Sequence, residues 1–161
     1  MTTTRADGAT ERQERERAAL DLWAELTSAT GSVRARLSEL LDTELGIVPE
    51  EAVLLVRLSE APEQRLRMAD VSSTLRLSKS GVTRLVDRLA GRGLVVRAAC
   101  PSDRRVVYAG LTDEGRRAAA AAAPAMAAGV AQQLAGRLSA ADLDALTAAI
   151  RGLLAGAEAG A

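Results

Sequence analysis

The sequence predicts a mainly α chain with a small β-ribbon (α+β), and three observations carry that expectation. Apolar residues return at three-, four- and seven-residue steps along much of the length, the spacing of an amphipathic helix. Two short β-prone runs, Leu94-Val95-Val96-Arg97 and Val106-Val107-Tyr108-Ala109-Gly110-Leu111, flank a turn of Pro, Ser and Asp, which reads as a hairpin. A short helix, a tight turn and a second helix precede that hairpin, the order of a helix-turn-helix. With 161 residues, 48% of them apolar, the chain makes one domain, or one domain with helical extensions, and buries a real core. That core must be built from Leu, Val and Ala, because there is no Phe, and Trp23 and Tyr108 stand alone.

Residues 1–10, rich in Thr and containing Gly8, are expected to be disordered. A first helix runs from near Glu11 to Leu45 and stops at Gly46, a suitable C-cap. Leu22, Leu26, Val33, Leu37 and Leu41 give it one apolar stripe. At about 1.5 Å per residue it spans roughly 52 Å, more than one small domain needs, so part of the stripe is expected to pack on another subunit. Gly31 marks an expected bend. Pro49-Glu50-Glu51 opens a second helix, with Pro in the first turn and acids favoured there by the helix dipole. It ends at Ala61-Pro62, and Arg65-Leu66-Arg67 reads as a short strand.

Met68, Val71 and Leu75 form a third, short helix, and Ser78 caps the fourth. Thr112-Asp113-Glu114 starts a fifth, whose Ala118–Ala123 body has high helix propensity but little bulk. Pro124 removes a backbone donor and is expected to kink or break it. A sixth helix follows from Ser139, with Leu143, Leu146, Ile150, Leu153 and Leu154 as its stripe, and 156–161 reads as a tail.

Formal net charge is zero, which argues against a basic coat. The distribution says otherwise. Residues 76–105 hold eight basic side chains against two acidic ones, a local +6. Phosphate attraction is screened over roughly 8 Å in physiological salt, so a local patch suffices to bind a nucleic acid. The absence of His, and of a glycine-rich phosphate loop or clustered carboxylate pair, leaves an enzyme without its groups. One Cys and no His build no metal site, and no cofactor is expected. The apolar runs are too short for a membrane span, and Met1-Thr2-Thr3-Thr4-Arg5 lacks the apolar core of a signal peptide. A single Cys fits a reducing cytoplasm.

On the fourth helix, Val82, Leu85, Val86 and Leu89 share the buried face. The opposite face then presents Lys79, Ser80, Thr83, Arg84, Asp87 and Arg88. Arg gives paired hydrogen bonds to a guanine edge, while Ser and Thr contact bases or phosphates. In isolation such a face is more often merely solvated; a preceding helix and turn and a following basic hairpin reverse that reading. Arg104 and Arg105 stand at the hairpin tip, where a guanidinium fits a narrow minor groove. Asp103 would repel phosphate, and is expected to fix an Arg through a paired salt bridge, to form the turn as Asp does in many hairpins, or both.

Thr83-Arg84-Leu85-Val86-Asp87-Arg88-Leu89, then Gly93-Leu94-Val95 and Arg97, then Asp103-Arg104-Arg105, then Leu111-Thr112 with Gly115, resembles the MarR family of bacterial transcriptional regulators. The likeness covers about residues 15–155 in element order and 68–115 by motif. It implies a winged helix-turn-helix lobe (47–112) on an all-helical dimerisation platform made of residues 11–46 and 113–155. Leu22, Leu26, Leu143, Leu146, Ile150 and Leu153 would then lie at the homodimer interface. The resemblance implies that the fourth helix reads the major groove of a palindromic double-stranded operator while the wing places Arg105 in the minor groove, braced by Asp103. Many members release DNA when a small, often aromatic or phenolic, effector binds between platform and lobe. Val106 stands where such proteins often carry Gly, which implies a stiffer or differently shaped wing. The fifth helix is poor in large side chains, so either the helices approach closely or the ligand cavity differs.

The leading expectation is a ligand-responsive dimeric repressor. The alternatives are a winged-helix module that binds protein rather than DNA, supported by the zero net charge, and a thiol-based redox sensor using Cys100. Relatives that sense peroxides usually keep their reactive Cys in the first helix, where this chain has none, so Cys100 beside Pro101 reads first as a small turn residue.

Overall fold

Gly46 ends the first helix because its φ of +62° closes the last turn. The Gly46 N–H donates to Asp42 O at 2.9 Å and the Ile47 N–H to Leu41 O at 3.4 Å, which satisfies carbonyls the helix end would otherwise leave open. That helix, α1, runs Thr4–Leu45. The structure is a computed structural model that describes residues 4–100, 103 and 105–159. The chain divides into two units, residues 1–36 and 37–161. In the first, α1 is a single exposed helix carrying an Arg12–Glu16 ion pair one turn apart (2.9 Å).

The second unit continues through α2 (Pro49–Glu60), a single 3-10 turn (Pro62–Gln64), β1 (Arg65–Arg67), α3 (Met68–Leu75), α4 (Lys79–Gly91), β2 (Val95–Ala99), β3 (Val107–Leu111), α5 (Asp113–Gln133) and α6 (Ala140–Ala159). The antiparallel sheet has the order β1-β3-β2, with Arg67 opposite Tyr108 and Val95 opposite Leu111. Leu41, Ile47, Leu54, Leu55, Leu58, Val71, Val82, Val86 and Leu89 are sealed from solvent and form an aromatic-free core under the sheet and helices. The described secondary structure is mostly helical with one small sheet, the architecture expected from the sequence.

Two small-residue contacts fix how elements meet. Thr112 caps α5 by accepting from Gly115 N at 2.9 Å, and its own hydroxyl donates to Gly93 O at 2.7 Å. A Cβ at Gly115 would lie 1.9 Å from Leu94 O, so the Leu-Thr-x-x-Gly spacing is a steric requirement of the β3–α5 corner. On α5, a Cβ at Gly129 would lie 2.7 Å from Leu37 Cδ2. The small residues of α5 therefore let it approach the end of α1 closely, the first of the two readings its composition left open.

Three boundaries differ from expectation. α1 starts at Thr4 rather than Glu11, so residues 4–10, expected to be disordered, are helical; a lone Gly8 costs only about 1 kcal/mol in a helix, and no proline stops propagation. α5 runs unbroken through Pro124. Pro124 and Ala120 both lie on the exposed side, where the carbonyl left without its N–H partner is open to water, and the Ala-rich body tolerates one missing bond. α6 continues to Ala159, through the segment read as a tail from Gly156, because alternating alanines outweigh one glycine.

Candidate nucleic-acid interface

The turn before α4 contains no glycine. Arg76 takes the left-handed conformation (φ 51°), and Ser72 closes the loop by donating to Leu77 O at 2.6 Å. Ser78 then caps α4, accepting from Gly81 N at 3.1 Å. With Val82, Leu85, Val86 and Leu89 buried, Lys79, Ser80, Thr83, Arg84, Asp87 and Arg88 are all exposed.

Their surroundings divide them. Lys79 and Arg84 have no side-chain ion pair among the described residues, and the Ser80 hydroxyl lies 3.1 Å from that of Ser78. Asp87 pairs with Arg97 of β2 at 2.8 Å. Arg88 turns towards α2, its Nε 3.0 Å from Glu51 Oε1. Arg92, just beyond α4, places NH1 3.2 Å from Glu51 Oε2. Glu51 is 4% exposed. From the sequence it passes for an ordinary first-turn acid, since its partners lie far downstream; the available signal was the pair of arginines one turn apart at positions 88 and 92.

The ribbon is closed by Cys100 N–H to Val106 O (2.9 Å) and Val106 N–H to Asp103 O (2.9 Å). Asp103 receives Arg105 at both oxygens, Nε at 3.1 Å and NH2 at 3.3 Å, and also accepts the Arg105 backbone N–H at 3.0 Å. These bonds from Arg105 hold the Asp103 carboxyl below the usual carboxylate range. The Arg105 side chain is nevertheless 91% exposed, a cation pre-set in direction and open to a partner. The expected paired salt bridge is thus present, with Arg105 as its arginine. Arg104 lies outside the described residues. Cys100 is half-buried at the end of β2.

A groove of about 440 Å³ opens between these elements, lined by Arg67, Met68, Asp70, Thr83, Arg97, Arg105 and Val107 among others. Arg67 was not singled out from the sequence. Its Nε–H donates to the Tyr108 hydroxyl at 3.4 Å, which raises the guanidinium pKa further above its ordinary value. The Arg65 guanidinium lies 4.8 Å from the centre of the same ring, so one tyrosine orders two cations of β1.

The residues expected at a subunit interface fall in both units. On α1, Leu22 is exposed and Leu26 half-buried, with Leu20 and Trp23 (69% exposed) nearby. On α6, Leu143 is half-buried while Leu146, Ile150, Leu153 and Leu154 are exposed. No described helix is long and apolar enough to cross a membrane, and no described cluster of three or more His, Cys, Asp or Glu could hold a metal.

Residues 45–106 match the sequence model of the MarR family. The chain is 31% identical to Sco3205 of Streptomyces coelicolor, a MarR family transcriptional regulator solved in complex with DNA; the match covers 84% of each chain with a TM-score of 0.80. This chain belongs to the MarR family. Members of that family are transcriptional regulators rather than enzymes. A second MarR family regulator from Streptomyces coelicolor, AbsC, is 27% identical, with a TM-score of 0.80 over 87% of this chain and 94% of its own. The HTH-type transcriptional regulator YkoM of Bacillus subtilis is 39% identical over 72 residues, 45% of this chain and 46% of YkoM. The chain spans less than two thirds of the length of the curated relatives it matches.

Proposed function

We propose that this MarR-family chain is a homodimeric, sequence-specific repressor that binds a palindromic operator in the bacterial cytoplasm and is released by a small-molecule effector. In this reading α4 lies in the major groove, with Lys79, Ser80, Thr83 and Arg84 towards the bases, and the wing brings Arg105, flanked by Arg104, to the minor groove. Residues 11–46 and 113–155 form the dimer platform, residues 47–112 form the DNA-binding lobe, and the exposed stripes on α1 and α6 meet a second copy. The carrying observation is the Asp103–Arg105 clamp: an almost fully exposed arginine, held by both carboxylate oxygens, beside a helix whose first turns present unpaired cations. Such an arrangement does little for stability, since water screens an exposed ion pair, but it pre-orients a charge for a polyanion.

The test is titration of a duplex selected by the chain from a randomised pool against a scrambled duplex of equal composition. Two dyad-related α4 helices want half-sites about 10 base pairs apart. Arg84→Ala should weaken selected-duplex binding by about 1–3 kcal/mol if it reads a base. Equal affinity of the parent chain for both duplexes would overturn the reading. A flat salt response would favour the protein-binding alternative, because phosphate contacts make log affinity fall steeply with log salt.

A further inference from the structure

Asp87 and Arg88 are neighbours on the exposed side of α4, yet different elements hold their charges: Arg97 of β2 takes Asp87, and Glu51 of α2 takes Arg88. Glu51 is the buried charged residue of the described core, and its oxygens are fully engaged. Oε1 accepts Arg88 Nε at 3.0 Å, while Oε2 accepts Arg92 NH1 at 3.2 Å and the Val48 backbone N–H at 3.3 Å. It sits in the first turn of α2, where the helix dipole favours an anion.

Stability alone is a weak reason to keep such a group, because replacing a buried ion cluster with apolar side chains is often neutral or better. What the cluster supplies is geometry. Arg88 lies in the last turn of α4 and Arg92 is its C-cap residue, so one carboxylate ties both the last turn of that helix and the residue that follows it to the start of α2. A rigid helix held at its far end presents its near end, the turn of Lys79–Arg84, at a set angle.

We propose that Glu51 is a positioning residue for DNA recognition, and that Arg88 and Arg92 are its anchors rather than DNA ligands. This inference rests on the reading of α4 as the helix that enters the major groove. It contracts the base-reading surface to Lys79, Ser80, Thr83 and Arg84 and removes Arg88 from the contacts the sequence assigned.

The experiment uses the full chain and the selected and scrambled duplexes across a salt series, with thermal melting to confirm folding at the assay temperature. Glu51→Gln and Arg88→Gln should each lower the selected-to-scrambled affinity ratio about tenfold, and the double variant should lose no more than either single. The salt slope should stay at the parent value in all three, since no phosphate contact has been removed. A slope for Arg88→Gln shallower by about 0.9, the value of one phosphate contact, with losses that add to those of Glu51→Gln, would overturn the proposal. So would an unchanged ratio in Glu51→Gln. Should Glu51→Gln fail to fold, Arg92→Gln, which leaves the Glu51–Arg88 pair in place, decides the matter: a reduced ratio at constant slope supports the proposal, and a shallower slope or an unchanged ratio overturns it. A parent chain that binds no duplex overturns the DNA reading itself, a result visible before any variant is made.

Discussion

Arg97 on β2 and Asp87 on α4 lie 2.8 Å apart, and the same guanidinium nitrogen donates to Thr83 O at 3.2 Å. One guanidinium thereby joins the wing to two positions of α4. Both side chains of the pair are partly exposed, so its contribution to stability is small, about 1 kcal/mol or less. Asp87→Asn should accordingly shift denaturant unfolding by no more than that. It should weaken duplex binding by clearly more, because wing and helix would no longer arrive together. Parallel urea melts and duplex titrations check this, and equal losses in both would reduce the pair to an ordinary stabiliser.

Gly115 carries the second prediction. A Cβ placed 1.9 Å from Leu94 O meets backbone, which cannot swing aside as a flexible side chain does. Gly115→Ala should lower the unfolding free energy by about 3 kcal/mol, at the upper end for overpacking. Gly91→Ala is the matched control, since nothing lies within 4 Å of where its methyl would stand and the helix there prefers alanine. A Gly115→Ala protein with the parent's urea midpoint would refute the steric account of the Leu-Thr-x-x-Gly motif.

These two contacts also show what was legible in the sequence. Helix starts were, because Ser78 and Thr112 are caps whose partners lie three residues on. The hairpin and the Asp103–Arg105 pair were legible for the same reason of short range. Glu51 was not, as its anchors stand 37 and 41 residues away in sequence. The Arg67–Tyr108 contact joins strands 41 residues apart and was equally hidden. The unbroken course of α5 through Pro124 was not legible either, because the missing donor is a local property while the exposure that tolerates it depends on packing.

The wing clamp has a pH dependence of definite sign. Arg105 lowers the folded-state pKa of Asp103 below its ordinary 3.8. For a carboxylate depressed in the folded state, the stabilising contact is fully present above the unfolded value and is lost as pH falls through the folded one. The clamp therefore stays closed throughout the neutral and mildly acidic range and opens only below the ordinary aspartate value. Carboxyl carbon NMR shifts should show Asp103 titrating below the ordinary value, and Arg105→Ala should bring the midpoint back up to it. A midpoint unmoved by that substitution would mean the clamp does not persist in solution.

The stripe on α6 supplies the last prediction. Leu146, Ile150, Leu153 and Leu154 follow at steps of four, three and one, which sets them on one helical face, and Leu153 is 64% exposed. Single exposed leucines are ordinary; a contiguous apolar face on a helix is the mark of a contact surface. If that surface meets a second copy, Ile150→Asp buries an unpaired carboxylate at the contact, and the dimer dissociation constant should rise at least a hundredfold, about 3 kcal/mol. Sedimentation velocity over a concentration series should show the parent as a dimer and the variant as a monomer of unchanged helical content. The monomer should then protect one half-site of the selected duplex rather than two, since each copy contributes a single α4. A variant that sediments as the parent does would place the subunit contact elsewhere and leave the α6 face for a different partner.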